Sequence, residues 1–253
     1  MLEELSLFAY LGIFILIAFS GFIDSIAGGG GLISIPTYMI FGVPAEFILG
    51  TNKTVSTSGT TIAVSRYILN GKIDWKTVGY AIIAALIGSQ IGASYSHILS
   101  KETMTLILIF IVPFIFILNL KLSGNKRQES EVSSLVLKSV LIGFFIGGYD
   151  GFFGPGTGTF LIFSFVTILH WDFGKASANA RIINYASNLS AFVYFLFNGN
   201  ILWEVVVIGL LGSFLGNWIG SGLVVKLSEK IVKPIFNTVL IMLLIKCIYD
   251  VFI

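Results

Sequence analysis

Two aspartates each stand four residues before a glycine cluster in an otherwise apolar sequence. The first cluster lies in GFIDSIAGGGGLISIP at residues 21–36, and the second lies in GGYDGFFGPGTGTFL at residues 147–161. Glycine runs and a proline interrupt a helix, so each following segment begins with backbone N–H groups at a positive dipole end that can hold an anion. The alternative is that these glycines only allow helices to approach closely.

Two basic residues head polar stripes on two other apolar segments. Lys53, Ser56 and Thr60 are spaced i, i+3 and i+7, which places them on one helical face. The same spacing recurs in the second half at Arg181, Asn184 and Asn188. Ionisable residues inside membrane segments are functional candidates, so the two stripes predict the walls of an anion pathway. The alternative is that both cations extend to the lipid headgroups while their polar neighbours only join helices.

The two aspartates, Asp24 and Asp150, have three alternative roles. An ionised carboxylate in apolar surroundings is costly unless it is paired. Each aspartate is therefore a candidate proton carrier, a counter-ion to Lys53 or Arg181, or a structural acceptor of glycine-loop N–H groups. The residue pattern alone leaves all three roles open.

Other chemistries are excluded by missing motifs. In a nucleotide-binding loop the last glycine is followed by a lysine and then by a serine or threonine, and neither glycine cluster is followed by this pair. No hydrolase motif is present either, so we expect no enzyme activity. His97 and His170 are isolated, and Cys247 is the single cysteine, so we expect no metal site, disulfide or cofactor. The net charge of +2 is too small to suggest a nucleic-acid partner.

The composition predicts the elements that position these residues. The 253 residues are 56% hydrophobic and only 11% charged, with a mean hydropathy of +0.95, which indicates an all-α polytopic membrane protein embedded in a lipid bilayer. The apolar segments run over 5–26, 32–42, 49–69, 77–98, 103–120, 135–150, 157–170, 176–197, 202–224 and 231–252. The second and seventh are short for a full crossing and are expected to be half-helices or tilted pieces.

The two halves of the chain align with each other. Asp24 matches Asp150 at an offset of 126 residues. The second half then contains two extra residues, so that Lys53 matches Arg181 at an offset of 128. Thr51 likewise corresponds to Asn179. Glycines spaced four apart also match, Gly88 with Gly216 and Gly92 with Gly220, and we assign these to close helix approach. The ordered set of matches predicts an internal duplication.

Charge placement predicts that the two repeats are inverted. The loop at 66–76 is basic whereas its equivalent at 194–204 has no lysine or arginine, so the two should face opposite sides of the membrane. We expect a first repeat at 1–121, a cytoplasmic linker at 122–134 and a second repeat at 135–253. Both termini are predicted to lie outside a prokaryotic inner membrane.

The chain resembles the TauE/SafE family of sulfite exporters, in its YfcA-like branch. The resemblance rests on the two glycine clusters and on LGTNKTVSTSGT (49–60), NGKIDW (70–75) and NYASNLSA (184–191), and it covers essentially the whole chain. It implies transport, mostly outward, of anions of sulfur metabolism such as sulfite, sulfoacetate and other organosulfonates. An anionic substrate agrees with the cations and helix N-termini identified above.

We therefore expect a secondary transporter that exports a small sulfur-containing anion by alternating access at a site between the repeats. A passive anion channel and an importer of a different small anion remain open alternatives. The coupling ion is also open, as is the oligomeric state, with a homodimer as one option. The expected substrate-binding residues are Gly28, Gly29, Gly30, Gly31, Thr51, Asn52, Lys53, Ser56, Gly154, Gly156, Thr157, Gly158, Asn179, Arg181, Asn184 and Asn188.

Overall fold

The computed structural model describes residues 6–69, 73–121 and 132–224, together with residues 238 and 241. Regular structure within these ranges is helical throughout. The helices are α1 Leu7–Ala27, α2 Gly31–Ile40, α3 Ala45–Leu69, α4 Trp75–Tyr95, α5 Lys101–Lys121, α6 Val132–Phe152, α7 Thr157–Ile168, α8 Phe173–Phe197 and α9 Trp203–Val224, with one 3-10 turn at Ser96–Ile98. Apart from residues 238 and 241, the predicted tenth segment lies outside the described residues, as does Cys247.

Five of these helices, α1, α4, α5, α6 and α9, are long and apolar enough to cross a bilayer. Their outer faces carry large apolar side chains at helical spacing, such as Ile83, Ile87 and Ile91 on α4 and Phe110 and Phe114 on α5, all of which are exposed. Apolar stripes of this extent are stable in contact with lipid tails but unfavourable in contact with water. The predicted all-α polytopic membrane protein is confirmed.

Helices α3 and α8 form the polar interior of the molecule. Each has 25 residues and is about 37 Å long, enough to cross the membrane. They carry too many polar residues to face lipid, and the fold shields them: α3 contacts α8, while α9 covers α3 and α4 covers α8. Residues 176–184 of α8 are buried without interruption. The two predicted polar stripes therefore lie side by side inside the helix bundle.

Helices α2 and α7 are short, as predicted. Their 10 and 12 residues span only about 15 and 18 Å, well below the 30 Å of a typical hydrocarbon core. Each follows a long helix after a break of a few residues. These two breaks contain the glycine clusters, and most residues of the clusters are buried inside the protein.

Two helix pairs hold the bundle together through small residues. Helix α4 packs along α6, and helix α1 packs along α9. A Cβ atom added at Gly92 would collide with the carbonyl oxygen of Gly148 on α6, and one added at Gly216 would collide with the carbonyl oxygen of Ala18 on α1. The predicted role of these glycines in close helix approach is confirmed.

Candidate functional site

The two glycine clusters meet in the centre of the molecule. Gly28 ends α1 in the left-handed conformation with a φ of 77°, which glycine adopts without strain. A Cβ atom on Gly28 would lie 2.7 Å from the Cα of Gly158, and one on Gly31 would lie 3.1 Å from the Cα of Pro155. Only glycines allow this backbone contact. Because of it, the N-terminal ends of α2 and α7 lie side by side.

Two buried ion pairs flank the meeting point. The Lys53 Nζ lies 2.7 Å from the Asp150 carboxylate, and the two side chains are only 1% and 2% exposed. The Arg181 Nη1 lies 3.0 Å from the Asp24 carboxylate, with exposures of 2% and 14%. Each pair joins a cation of one predicted repeat to an acid of the other. Of the three roles left open for the aspartates, the described conformation shows the counter-ion role for both.

The carboxylates receive further hydrogen bonds. Asp24 accepts a long bond of 3.3 Å from the backbone N–H of Gly30, which is also the structural role considered for it. The hydroxyl of Thr60 lies 3.3 Å from the same carboxylate. Asp150 accepts a 2.7 Å bond from the hydroxyl of Ser187, a residue that the sequence analysis did not single out. These bonds offset part of the cost of burying the two charges.

Near the Arg181–Asp24 pair, three buried polar atoms lack a hydrogen-bond partner among the described residues: the Arg181 Nε, the Tyr67 hydroxyl and the Ser177 hydroxyl. Ser177 lies one turn before Arg181 on α8, and the Tyr67 hydroxyl lies near Arg181 and close enough to the Ser177 hydroxyl for the two to interact. Buried donors are satisfied in the great majority of cases, so three together require an explanation. All three can donate a hydrogen bond, so together they form a cluster of donors suited to an acceptor-rich ligand.

Thr51 and Asn179 form equivalent structural bonds. The Thr51 hydroxyl accepts a 3.0 Å bond from the Leu202 N–H, at the start of α9. The Asn179 side-chain oxygen accepts a 2.8 Å bond from the Asp74 N–H, at the start of α4. At the offset of 128, Thr51 matches Asn179 and position 74 matches position 202. In this conformation these oxygens hold helix starts of the opposite half.

The remaining predicted site residues lie on the same central helices. Asn188 donates through its side-chain nitrogen to the backbone and side-chain oxygens of Asn184, at 2.8 and 3.0 Å. The side-chain oxygen of Asn52 accepts from the Ser34 hydroxyl. Thr157 closes the α6–α7 break by donating to Gly154 O at 2.7 Å. Gly29 lies buried in the α1–α2 break, and Gly156 caps α7 with a φ of 81°.

A small polar cavity lies beside Asp24 between α1, α2, α3 and α9. Ser56 and Thr60 of the predicted stripe line it, as do Ser213 and Asn217 of α9. The latter two residues were not predicted as site residues. At the offset of 128, Ser213 corresponds to Ala85, so a search for matched polar residues overlooks it.

An ion pair outside the bundle centre links the loop before α4 to the start of α8. Asp74 lies 2.6 Å from the Lys175 Nζ, and the ammonium also lies over the Trp171 ring. Partial burial alone would raise the pKa of Asp74, but the bond to Lys175, its charge and the Thr77 N–H lower it below its usual value. The carboxylate is therefore ionised at neutral pH, where it also caps α4.

Comparison with known proteins identifies relatives along nearly the entire chain. The model of the family described as sulfite exporter TauE/SafE matches residues 13–247. A probable membrane transporter protein of a Sinorhizobium species is 36% identical over 98% of this chain and 96% of its own length. Probable membrane transporter proteins of Haemophilus influenzae and, under the name YfcA, of Escherichia coli are each 33% identical, covering 91% and 95% of this chain and 91% and 90% of their own. No solved structure matches.

Proposed function

This chain belongs to the TauE/SafE sulfite exporter family of membrane transporters, and from that premise we propose that it carries a small sulfur-containing anion outward across the bacterial inner membrane. Sulfite, sulfoacetate and related organosulfonates are the substrate class. They share several oxyanion acceptors in a compact group, which matches the donors at the centre of the bundle.

The observation that carries this proposal is the set of three buried donors near the Arg181–Asp24 pair. Arg181 presents a guanidinium with one N–H group directed to Asp24 and an Nε without a partner among the described residues. The hydroxyls of Tyr67 and Ser177 add two more donors. An oxyanion bound there would satisfy all three groups at once, and a guanidinium fork binds such an anion in a fixed orientation.

The ion pairs give the site its resting state. A buried cation without a partner is costly, so Asp24 and Asp150 neutralise Arg181 and Lys53 when no anion is bound. A substrate anion replaces a carboxylate as the partner of the cation. The N-terminal ends of α2 and α7 lie at the same place and add their positive dipole ends to the attraction.

The arrangement of the two pairs supports a mechanism of alternating access. Lys53 and Thr60, the latter next to Asp24, are seven residues apart on α3, about 10 Å along the helix axis. The two ion pairs therefore lie one above the other inside the bundle. Under the predicted topology, Arg181–Asp24 lies toward the cytoplasm and Lys53–Asp150 toward the outside. Opening one pair while the other stays closed admits the anion from one side at a time.

The membrane potential can drive export without a second solute. Moving one negative charge out of a negative interior releases about 2.3 kcal/mol per 100 mV. A proton carried by Asp24 or Asp150 is the alternative drive.

A thermal-shift titration of the detergent-purified protein tests the site. Sulfite, sulfoacetate and thiosulfate are compared with acetate and taurine, and a ligand at 100 times its Kd stabilises the folded protein by about 2.7 kcal/mol. Tyr67→Phe and Ser177→Ala each remove one hydroxyl donor, and Arg181→Lys removes the Nε donor and the guanidinium fork while retaining the positive charge. Each should weaken binding by about tenfold or more, since a hydrogen bond to a charged group contributes about 1.5–3 kcal/mol.

Tyr38→Phe is the matched control. The Tyr38 hydroxyl is also buried and without a partner in the described part of the chain, but it lies near Val55 and Gly209, away from Arg181. Its removal should leave anion affinity unchanged. If no sulfur oxyanion shifts the unfolding temperature, or if Tyr67→Phe and Tyr38→Phe bind alike, this site is not the substrate site.

A further inference from the structure

We infer that the polar cavity beside Asp24 binds a sodium ion that couples to transport. The cavity is walled by four helices and has room for an occupant about the size of one water molecule. Its polar lining consists largely of side-chain oxygens. They belong to Ser20, Asp24, Ser34, Ser56, Thr60, Ser213 and Asn217. Oxygen-rich surroundings of this kind are what hard cations require.

Three hydroxyl groups of the lining present lone pairs and not protons to the cavity. Ser20 donates its proton to the Gly30 carbonyl at 2.8 Å. Ser34 donates to the Asn52 side chain or to the same carbonyl, and Thr60 donates to Asp24. Because these protons are already committed, the hydroxyl oxygens are available as acceptors. An array of acceptors around one carboxylate favours a positive ion over an anion.

The side-chain oxygen of Asn217 also indicates that the cavity binds a cation. Asn217 is 1% exposed, and its Oδ1 has no hydrogen-bond partner in the ranges that the structure describes. Its Nδ2 donates to the Ser213 carbonyl at 3.0 Å, and this fixes which end of the amide is oxygen, because a carbonyl cannot donate in return. A buried, unsatisfied acceptor in a polar cavity is a ready ligand for a cation.

Two glycines bring Asn217 and Ser213 close to the other walls. A Cβ atom on Gly21 of α1 would lie 2.8 Å from the Asn217 Nδ2. A Cβ atom on Gly59 of α3 would collide with the Ser213 hydroxyl. The contact of α9 with α1 and α3 at this level therefore depends on both glycines.

The charge balance favours a monovalent ion. Among the described residues that line the cavity, Asp24 is the only acidic one, and its charge is already balanced by Arg181. Within the described residues, no three His, Cys, Asp or Glu side chains are grouped closely enough to hold a metal. A divalent ion would leave more charge uncompensated than one carboxylate can balance.

Sodium binding would couple to the anion through Arg181, and this part of the inference rests on the proposed function. A cation held by Asp24 weakens the hold of Asp24 on the guanidinium, which then binds the substrate anion more readily. By thermodynamic reciprocity, sodium raises the anion affinity and the anion raises the sodium affinity by the same factor. When the substrate is a singly charged anion, the two binding events together add no net charge to the site.

The test is thermal unfolding of the full-length purified protein in NaCl, KCl and choline chloride at one ionic strength, without any sulfur anion. Sodium should raise the unfolding temperature in a saturable manner that choline does not reproduce. Ser213→Ala and Asn217→Leu should each raise the half-saturating sodium concentration by about tenfold, the effect of losing one ligand. Ser213→Ala carries the test if Asn217→Leu does not fold in choline chloride.

Ser221→Ala is the matched control on the same helix. Ser221 is as buried as Ser213, but its hydroxyl contacts Arg66 and a backbone carbonyl and does not line the cavity. It should retain the wild-type sodium response. Equal unfolding temperatures in sodium and choline, equal responses of Ser213→Ala and Ser221→Ala, or stabilisation by protons alone would each overturn the inference.

A final titration of sulfite with and without sodium separates the two proposals. If sulfite stabilises the protein and sodium has no effect, the sodium site is wrong while the proposed function stands. If sodium stabilises the protein in a saturable manner but no sulfur anion does, the sodium site stands and the proposed function is wrong.

Discussion

Lys53 and Asp150 form the most deeply buried ion pair described in this protein, with side-chain exposures of 1% and 2%. Lys53→Met removes the positive charge and leaves Asp150 buried, with the Ser187 hydroxyl as its remaining hydrogen-bond partner among the described residues. We expect a loss of about 3–5 kcal/mol in the free energy of unfolding, measured in one detergent. The double variant Lys53→Met, Asp150→Asn should recover most of this loss.

Lys175→Met is the comparison for this prediction. The Lys175–Asp74 pair is 32% and 27% exposed, so its loss should change stability by only about 0–1 kcal/mol. If Lys53→Met and Lys175→Met lower the free energy of unfolding by the same amount, burial does not determine how much each ion pair contributes to stability.

At the scale of residues, the sequence predicted the charged groups well and their partners poorly. Lys53, Arg181, Asp24 and Asp150 were found through the duplication, but their cross-pairing depends on how the two halves are arranged in space. Tyr67 was missed because it has no polar counterpart: position 195 is phenylalanine. Alignment of the repeats detects residues that both repeats share, whereas a binding site for an asymmetric ligand also uses residues that occur in only one repeat.

At the scale of helices, close contact between α4 and α6 depends on individual glycines. A Cβ atom at Gly92 would collide with the Gly148 carbonyl oxygen and lie 2.8 Å from the Phe152 N, and backbone atoms cannot rotate away. Gly92→Ala should therefore destabilise the protein by about 1–3 kcal/mol. Thermal unfolding followed by size-exclusion chromatography measures the effect.

Gly79→Ala serves as the control on the same helix. A Cβ atom at Gly79 would meet no atom within 4 Å. Because alanine is the better helix former, the substitution should be neutral or stabilising by up to about 1 kcal/mol. If both variants behave alike, the α4–α6 contact is looser than described.

Apolar runs and glycine clusters were sufficient to predict the nine helices of the described ranges. Boundaries were less accurate: α3 begins at Ala45, four residues before the predicted start, directly after Pro44. Hydropathy marks where a helix enters apolar surroundings, whereas proline and capping decide where it begins. The sequence also could not show which helices pair, because that depends on the contacts between the halves.

At the scale of the whole molecule, corresponding helices exchange partners between the predicted repeats. If α1 corresponds to α6 and α4 to α9, then the α1–α9 and α4–α6 contacts are equivalent. The two ion pairs likewise each join one half of the chain to the other, and so do the hydrogen bonds of Thr51 and Asn179. These equivalences support the predicted duplication, while the inverted orientation of the repeats stays a prediction.

Single cysteines can test that orientation. In a Cys247→Ser background, Lys76→Cys and Asn198→Cys place thiols at exposed sites in the predicted cytoplasmic loop and near its outer equivalent. We expect a membrane-impermeant maleimide added to intact cells to label position 198 and not position 76. Position 76 should react once the cells are opened. Labelling of both positions from the same side would mean that the repeats are parallel.

Flux through proteoliposomes distinguishes a transporter from a channel. In the described conformation both central cations are neutralised in buried pairs, so passage requires that at least one pair opens and closes in each cycle. A cycle of this kind saturates with sulfite, and unlabelled sulfite on the far side should accelerate the exit of labelled sulfite because the loaded carrier returns faster than the free one. Tyr67→Phe should raise the half-saturating concentration, whereas Tyr38→Phe should not. A flux that rises linearly with concentration and ignores far-side sulfite would instead establish a channel, in which the two ion pairs open together.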